Sequence, residues 1–307
     1  MKVMTATRAG GVRAADAGDP LYAGNQLHAL VEHLEHDIRL DTPADALQDK
    51  VRRAIPAGRF KDALSGTWLG HPLHPMLTDL PIGFWTSAWV LDIVGPRRYR
   101  DAARMLVGLG VLSALPAAAS GAADWSDTTG GSRRVGVVHA AANGSAVALY
   151  LGSWWARRRG RHARGVMLGM AGAAAATVGG YLGGHLVQGR GVGVDANHDV
   201  TGPDEWTPVL DVADLHDKPA RVAAGRVAVM MFRYEGRAVA LAATCPHRGA
   251  PLEEGVIVDG CIECPWHGSR FRVRDGALVR GPSAMPLPRF DVRERAGRYE
   301  IRRAEPS

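Results

Sequence analysis

The segment TCPHRGAPLEEGVIVDGCIECPWHGSRF, residues 244–271, contains all three cysteines of the chain and two of its twelve histidines. Cys245 and His247 form a Cys-x-His pair, and Cys264 and His267 follow as Cys-x-x-His. Two thiolates and two imidazoles can hold a tetrahedral zinc ion, or a [2Fe-2S] cluster with histidines on one iron. Zinc modules usually bring paired cysteines in one loop and paired histidines in another. Here each loop supplies one of each, which favours the cluster and leaves structural zinc as the alternative.

The sequence around these pairs consists of short β-like runs. RVAVMMFRY, RAVALAA, GVIV, CIE, SRFRV, ALVR, RFDVRER and RYEIRR are separated by EG, DG, DG and AG turns. Short runs bounded by such dipeptides predict antiparallel hairpins. We therefore expect residues 206–307 to form a small all-β domain that carries both Cys–His pairs on its loops.

At this point a family resemblance is clear. CPHRG and CPWHGS resemble the paired loops of Rieske [2Fe-2S] proteins, and GPSAMPLPRF, residues 281–290, resembles the proline loop that covers their cluster. The resemblance implies that the cysteines bind one iron and the histidines the other. It implies one-electron transfer with a redox partner protein, the cluster itself transforming no substrate. The implied ligands are Cys245, His247, Cys264 and His267, with Ser269 tuning the cluster and Trp266 and Pro282 shielding it.

Departures from the family pattern make further predictions. Rieske proteins of quinol-oxidising complexes carry an extra cysteine in each loop, forming a disulfide, and this chain has Ala250 and Trp266 there. Those proteins also have a tyrosine that bonds a ligand sulfur, where this chain has Phe271. Losing that donor predicts a potential in the lower half of the roughly −150 to +300 mV Rieske range. Rieske oxygenases append a catalytic domain, for which we expect no room in the forty residues after His267.

A long apolar block precedes the β domain. Its four segments, residues 77–94, 102–119, 135–156 and 165–187, each have about the 20 residues that span a bilayer as a helix. Tryptophans lie mostly near segment ends, as at a membrane interface. We therefore predict a four-helix transmembrane bundle in contact with lipid, over residues 67–190. Glycines four apart in the last segment, such as Gly165 and Gly169, suit close helix packing or a homo-oligomer interface.

The positive charge of the chain, formally +6, is explained by topology. Arginines crowd the loops after the first and third segments, at 97–104 and 157–164. The positive-inside rule places these loops in the cytoplasm and both chain ends on the other side. We expect a bacterial membrane protein and no nucleic-acid binding. The charge rule favours an extracytoplasmic cluster domain, whereas the absent disulfide suits a reducing compartment, so the side of this domain stays open.

Two polar regions complete the organisation. Residues 1–66 include apolar positions at helical spacing, which predict an amphipathic helix over about 25–40 and a second helix from Thr42. Residues 191–205 are rich in Gly and Asp without periodicity and are predicted to be a linker.

Histidines near the apolar segments are functional candidates, because ionisable residues are costly inside a membrane. His139 and His185 are hypothesised to bind a b-type haem, with His71 or His74 as ligand to a second group or as a substitute axial ligand. Interhelical hydrogen bonding, or a quinone or proton site, is the alternative. WLGHPLHPMLTDLPIGFW and YLGGHLVQGRGVGVD resemble a family of predicted four-helix bacterial membrane proteins of unassigned function.

Overall fold

The computed structural model describes residues 26–95 and 97–304 and contains a helical part followed by a β part. The helical part begins with three short helices, α1 (Gln26–His36), α2 (Asp41–Ala54) and α3 (Arg59–Ser65). Residue 25 of the predicted 25–40 helix lies outside the described residues. Helix α1 ends before Asp37, whose side chain accepts a hydrogen bond from the Arg39 N–H and starts a single 3-10 turn. Asx side chains commonly compete with helix continuation in this way.

Four long helices follow and contain the four predicted apolar segments. They are α4 (Leu73–Val94), α5 (Arg100–Trp125), α6 (Gly130–Arg158) and α7 (His162–Gln188). Helix α4 packs mainly on α5, and α6 on α7. At the centre, the rings of Trp85 and Tyr150 stack with centroids 4.0 Å apart. The bundle is therefore closed by contacts between α4 and α6 as well as by the two hairpins.

Three segments of the described chain are long and apolar enough to cross a membrane, namely Arg97–Trp125, Gly130–Arg158 and His162–Gln188. Helix α4 is not among them, because polar residues including Asp79 and Asp92 lower its apolar character. The predicted count of four spans is thus not confirmed. Large apolar side chains, such as Leu112 and Met167, are exposed on the outer surface of the bundle. Exposed apolar surface of this extent marks a membrane or protein contact.

The β part contains ten strands in three antiparallel sheets. The strands are β1 (Thr207–Asp211), β2 (Ala220–Ala224), β3 (Val227–Tyr234), β4 (Arg237–Ala242), β5 (Val256–Val258), β6 (Cys261–Glu263), β7 (Arg270–Arg272), β8 (Leu278–Arg280), β9 (Phe290–Arg295) and β10 (Arg298–Arg303). Their orders are β1-β10-β9, β2-β3-β4 and β5-β6-β7-β8. The predicted all-β architecture is confirmed, and one buried core that includes Phe232, Leu252 and Phe271 joins the sheets.

Turn chemistry fixes the hairpins. Glu235, Asp259 and Ala296 each have positive φ and precede a glycine that also has positive φ. Two consecutive positive φ values define the turn that matches strand twist in a two-residue hairpin. Strands β1 and β2 were not predicted, since neither shows clear alternation, and each is held by pairing with β10 or β3.

The predicted linker packs against the β domain. The Ala196 N–H donates to the Pro246 carbonyl at 2.9 Å, and the buried Asn197 amide donates to the Thr244 carbonyl at 2.7 Å. Residues 196–197 therefore support the first of the two Cys–His loops.

Candidate metal centre

The two Cys–His loops have the same backbone design. In the first, after β4, the Cys245 N–H donates to the Ala250 carbonyl and the Gly249 N–H donates back to the Cys245 carbonyl, both at 2.9 Å. In the second, between β6 and β7, Cys264 has the equivalent bonds, at 2.8 Å to the Ser269 carbonyl and 3.1 Å from the Gly268 N–H. The repeated pattern gives both cysteines the same setting.

Each loop reverses through a left-handed glycine. Gly249 has φ +78° and Gly268 has φ +74°. Other residues pay a steric cost of about 1–2 kcal/mol in this region. The glycine in each motif therefore permits the turn that points the cysteine and the histidine to the same side.

The two buried cysteine sulfurs lie side by side. Backbone N–H groups of His247 and Arg248 donate to the Cys245 sulfur, and those of Trp266 and His267 donate to the Cys264 sulfur. A hydrogen bond from Cys245, with these backbone donors, lowers the Cys264 pKa to about 6, while donating that bond raises the Cys245 pKa. This setting favours thiolate, the form that binds metal, at Cys264, while Cys245 keeps its proton in the absence of metal.

The two histidines of the motifs face each other beside the sulfurs. The rings of His247 and His267 have centroids 5.0 Å apart at 85°. Burial lowers the pKa of His247 to about 3 and also lowers that of His267, so both rings are neutral near pH 7, as metal binding requires. His247 Nδ1 is buried and has no hydrogen-bond partner. An orphaned ring nitrogen is expensive unless it binds something, so the site fits a metal group.

The four side chains lie as a pair of sulfurs beside a pair of imidazole rings. A two-iron cluster with histidines on one iron distributes its ligands over two metals in this way. The donor set therefore fits the two-iron group.

The remaining predicted cluster residues lie around this pair of loops. Ser269 is fully buried, and its Oγ accepts the Ser283 N–H at 3.0 Å, which leaves its own hydroxyl hydrogen to donate. Pro282 and His247 line the same small cavity of about 50 Å³. Trp266 is 55% exposed, with its ring 6.3 Å from that of His267, so it covers one side of the site incompletely.

Sequence reasoning missed Asp127, which the helical part presents to this site. Its Oδ2 lies 3.8 Å from His247 Nε2. Asp127 is in the short turn between α5 and α6 and belongs to no motif. The turn, residues 126–129, contains this one acid among Ser and Thr residues, and nothing in its sequence marks it as part of a site.

The membrane histidines do not form one constellation. The rings of His74 and His139 lie 6.4 Å apart, and their Nδ1 atoms bond the Ala117 and Gly179 carbonyls. His185 Nε2 instead bonds Glu35 of α1 at 2.7 Å. His71 is exposed next to the Pro72 carbonyl. The fold thus brings His74 and His139 together. His185, the predicted partner of His139, is bonded to the Glu35 carboxylate instead.

Comparison with known families divides the chain in the same way. Residues 205–291 match the family described as Rieske [2Fe-2S] domain, and residues 70–196 match the family described as Predicted membrane protein (DUF2231). The predicted fusion of these two families is confirmed.

Three individual relatives each match about a third of this chain. The anthranilate 1,2-dioxygenase ferredoxin subunit of Burkholderia cepacia is 33% identical over 98 residues, 32% of this chain and 91% of the relative. Mouse apoptosis-inducing factor 3 is 37% identical over 95 residues, 31% of this chain but only 16% of that protein. The ferredoxin structure of carbazole 1,9a-dioxygenase from Nocardioides aromaticivorans IC177 is 27% identical with TM-score 0.31, covering 32% of this chain and 98% of the ferredoxin.

Proposed function

Because this chain belongs to the Rieske [2Fe-2S] domain family through residues 205–291, we propose that it is a membrane-anchored electron carrier that passes single electrons between redox partner proteins. The ferredoxin subunit it resembles over most of that subunit's length supports a carrier role. The chain spans a much smaller fraction of larger relatives such as apoptosis-inducing factor 3, so their whole-protein activities do not carry over.

The observation that carries the proposal is the matched pair of loops. Their shared hydrogen-bond pattern sets two sulfurs together and two imidazole rings 5.0 Å apart. We assign Cys245 and Cys264 to one iron and His247 and His267 to the other. Such a cluster, when bound, supplies a centre that gains or loses one electron at a time.

The residues of the chain would hold this group and tune it. Backbone N–H groups directed at both sulfurs stabilise negative charge there, which favours the reduced state. The Ser269 hydroxyl is available to add a donor, and its bond to the Ser283 N–H ties the proline loop over the site. The buried Phe271 keeps this side dry without offering the hydrogen bond that a tyrosine would add.

The helical part would anchor the carrier. We propose a polar helical region at 1–66, a membrane domain at 67–190, a linker at 191–205 and the Rieske domain at 206–307. Helix α4 serves as the fourth span in this proposal. It joins both ends of the bundle, because His74 bonds Ala117 near its start and Asp92 bonds Arg157 near its end. Its 22 residues give about 33 Å of helix, comparable with the apolar thickness of a bilayer.

The side of the membrane follows from charge. The arginine-rich loops lie between α4 and α5 and between α6 and α7, whereas the β domain follows the other end of α7. We propose that those loops are cytoplasmic and the Rieske domain extracytoplasmic. A C-terminal reporter fusion that is active only in the cytoplasm tests this, since activity there would contradict the assignment.

Iron and sulfide analysis of the purified full chain tests the cluster. We expect two irons and two acid-labile sulfides per chain, and an EPR signal after reduction with dithionite. Cys264→Ser and His267→Ala should lose both. Cys261→Ala is the matched control, because Cys261 is also buried but belongs to strand β6 outside both motifs. If the analysis finds one zinc per chain and no sulfide, the protein is not an electron carrier and the Cys–His loops hold a structural zinc ion.

A second redox centre in the helical part is the alternative function. The observation that favours it is the pairing of His74 and His139, whose rings lie 6.4 Å apart and whose Nδ1 atoms bond backbone carbonyls. Binding of a haem or quinone through His139 Nε2 would displace the Asn143 amide, which lies 3.3 Å from that atom. A haem would give a Soret band that His139→Ala removes while His185→Ala keeps it. A preparation that lacks the Soret band but contains the full amount of cluster would support the membrane-anchored electron carrier without a haem.

A further inference from the structure

The histidine side of the metal centre is covered by the helical part of the same chain. Asp127 Oδ2 faces His247 Nε2 at 3.8 Å, and the two side chains are 6% and 13% exposed. Asp127 Oδ2 and His247 Nδ1 both lack a hydrogen-bond partner although they are buried. Two unsatisfied polar atoms on neighbouring groups call for an explanation, since buried polar atoms in folded proteins are nearly always paired.

Metal ligation explains both atoms together. If Nδ1 of the neutral His247 ring binds iron, the ring proton must be on Nε2, the atom that faces Asp127. Metal-bound histidines almost always donate this second ring N–H to a carboxylate, a carbonyl or water. The distance of 3.8 Å is longer than a hydrogen bond, so the two atoms would have to approach by about 0.8 Å to form one.

We propose that Asp127 accepts a hydrogen bond from the His247 ring and so positions it. The helical part of the chain thereby completes the cluster site of the Rieske domain. The inference rests on the proposed function, because it requires the cluster. It assigns to the helical part a role beyond anchoring, through a positioning residue.

Asp127 is held for this role by a buried cation. Lys61 of α3 donates to Asp127 Oδ1 at 2.6 Å and to the Ser126 hydroxyl at 3.0 Å. Lys61 is 6% exposed, so the ion pair is almost entirely removed from water. Attraction between the two groups offsets part of the cost of burying them. One oxygen is therefore occupied by Lys61, while the other is free to face His247.

The surfaces around this contact are fitted to each other. The Thr67 hydroxyl donates to the Ser283 carbonyl of the proline loop at 3.1 Å. A Cβ at Gly281 would come within 2.2 Å of Thr67 Oγ1 and 2.8 Å of Asp62 Oδ1. Asp62 also accepts the Gly281 N–H. The proline loop thus carries a glycine where the helical part approaches, which indicates that this docking is part of the native fold.

The charges near the cluster predict opposite effects for two variants. Reduction adds a negative charge, so the Asp127 carboxylate disfavours the reduced state and Lys61 favours it. In the full-length protein, Asp127→Asn should raise the reduction potential and Lys61→Met should lower it. We expect each to change the ratio of reduced to oxidised protein about tenfold at a fixed mediator potential, about 59 mV for one electron. Potentiometric titration at pH 7, followed by EPR, measures both.

The EPR spectrum gives a second readout. Changing the hydrogen bond to a ligand alters the electronics of its iron, so Asp127→Asn should shift the g values, and Asp127→Glu should restore both spectrum and potential. Asp92→Asn is the matched control, since Asp92 is 5% exposed and paired with Arg157 at the opposite end of the bundle. It should leave the potential and the g values unchanged.

The outcomes separate this inference from the proposed function. A wild-type protein without an EPR signal would reject the cluster itself. A normal wild-type signal that Asp127→Asn leaves unchanged, in g values and potential, would reject only the role of Asp127, as would shifts of the same sign in both variants. If Asp127→Asn does not fold, the reduction potential of Lys61→Met is the test. An unchanged potential in Lys61→Met also overturns the inference.

Discussion

The ion pair between Asp92 and Arg157 offers a quantitative test of how the bundle is held together. Asp92 lies in the last turn of α4 and Arg157 in the last turn of α6. The pair is bidentate, with Arg157 Nη1 at 2.8 Å from Asp92 Oδ1. The two side chains are 5% and 2% exposed. Arg157→Met removes the charge and keeps most of the aliphatic stem that packs against Gly165.

The magnitude follows from the burial. Opposite charges about 4 Å apart attract by about 4 kcal/mol at an effective dielectric constant near 20. Arg157→Met loses this attraction and leaves the buried Asp92 with His162, at 3.8 Å, as its ion-pair partner within 4 Å among the described residues. Breaking one side of a buried pair typically costs about 3–5 kcal/mol, and replacing both sides by apolar residues is often neutral. We expect about 3–5 kcal/mol less unfolding free energy for Arg157→Met, and about zero change for the double variant with Asp92→Leu.

Equilibrium unfolding in detergent micelles, followed by tryptophan fluorescence, measures these values. Arg104→Met is the control, because Arg104 and its partner Asp101 are 39% and 88% exposed and such pairs contribute about 0–1 kcal/mol. A loss below about 1 kcal/mol for Arg157→Met, or additive effects of the two single variants, would show that the pair does not hold α4 to α6.

Other positions give simpler tests. Gly110→Ala should destabilise the bundle by about 1–3 kcal/mol in the same unfolding assay, because its Cβ would lie 2.2 Å from Trp85 Nε1. Gly268→Ala should cost about 1–2 kcal/mol at φ +74° and lower the iron content of purified protein. Hydrogen bonds from Arg134 lower the pKa of Asp41 to about 2. Protonating Asp41 therefore weakens the docking of α2 on α6 only as pH falls from about 3.8 toward 2, which amide hydrogen exchange of α2 follows.

Matched controls identify the cause of each effect. Gly144→Ala lies in a helix with open space around its Cβ and should not destabilise. Gly225→Ala has the same left-handed strain, at φ +63°, in the turn between β2 and β3, so it should lower stability without lowering iron content. Loss of α2 docking already at pH 5 would show that Asp41 does not contribute to it.

Local sequence determined much of this protein. The four apolar segments became helices because their length and composition suit helix formation whatever surrounds them. The hairpin turns at 259–260 and 296–297 followed from Gly260 and Gly297, which adopt positive φ without steric cost. The Cys–His spacing within each loop, with its left-handed glycine, is enough by itself to specify a matched pair of loops.

Tertiary structure decided the contacts between segments distant in the chain. His139 meets His74 and not His185, since that depends on how α4, α6 and α7 are rotated about their axes. Strands β1 and β2 lack a clear alternating pattern and form because each is hydrogen-bonded to a partner strand, β10 or β3. The position of Asp127 beside His247 arises from docking of one domain on the other, and no periodicity or spacing within either domain encodes it. Sequence patterns report local backbone preference and burial, whereas these contacts depend on the relative placement of elements already formed.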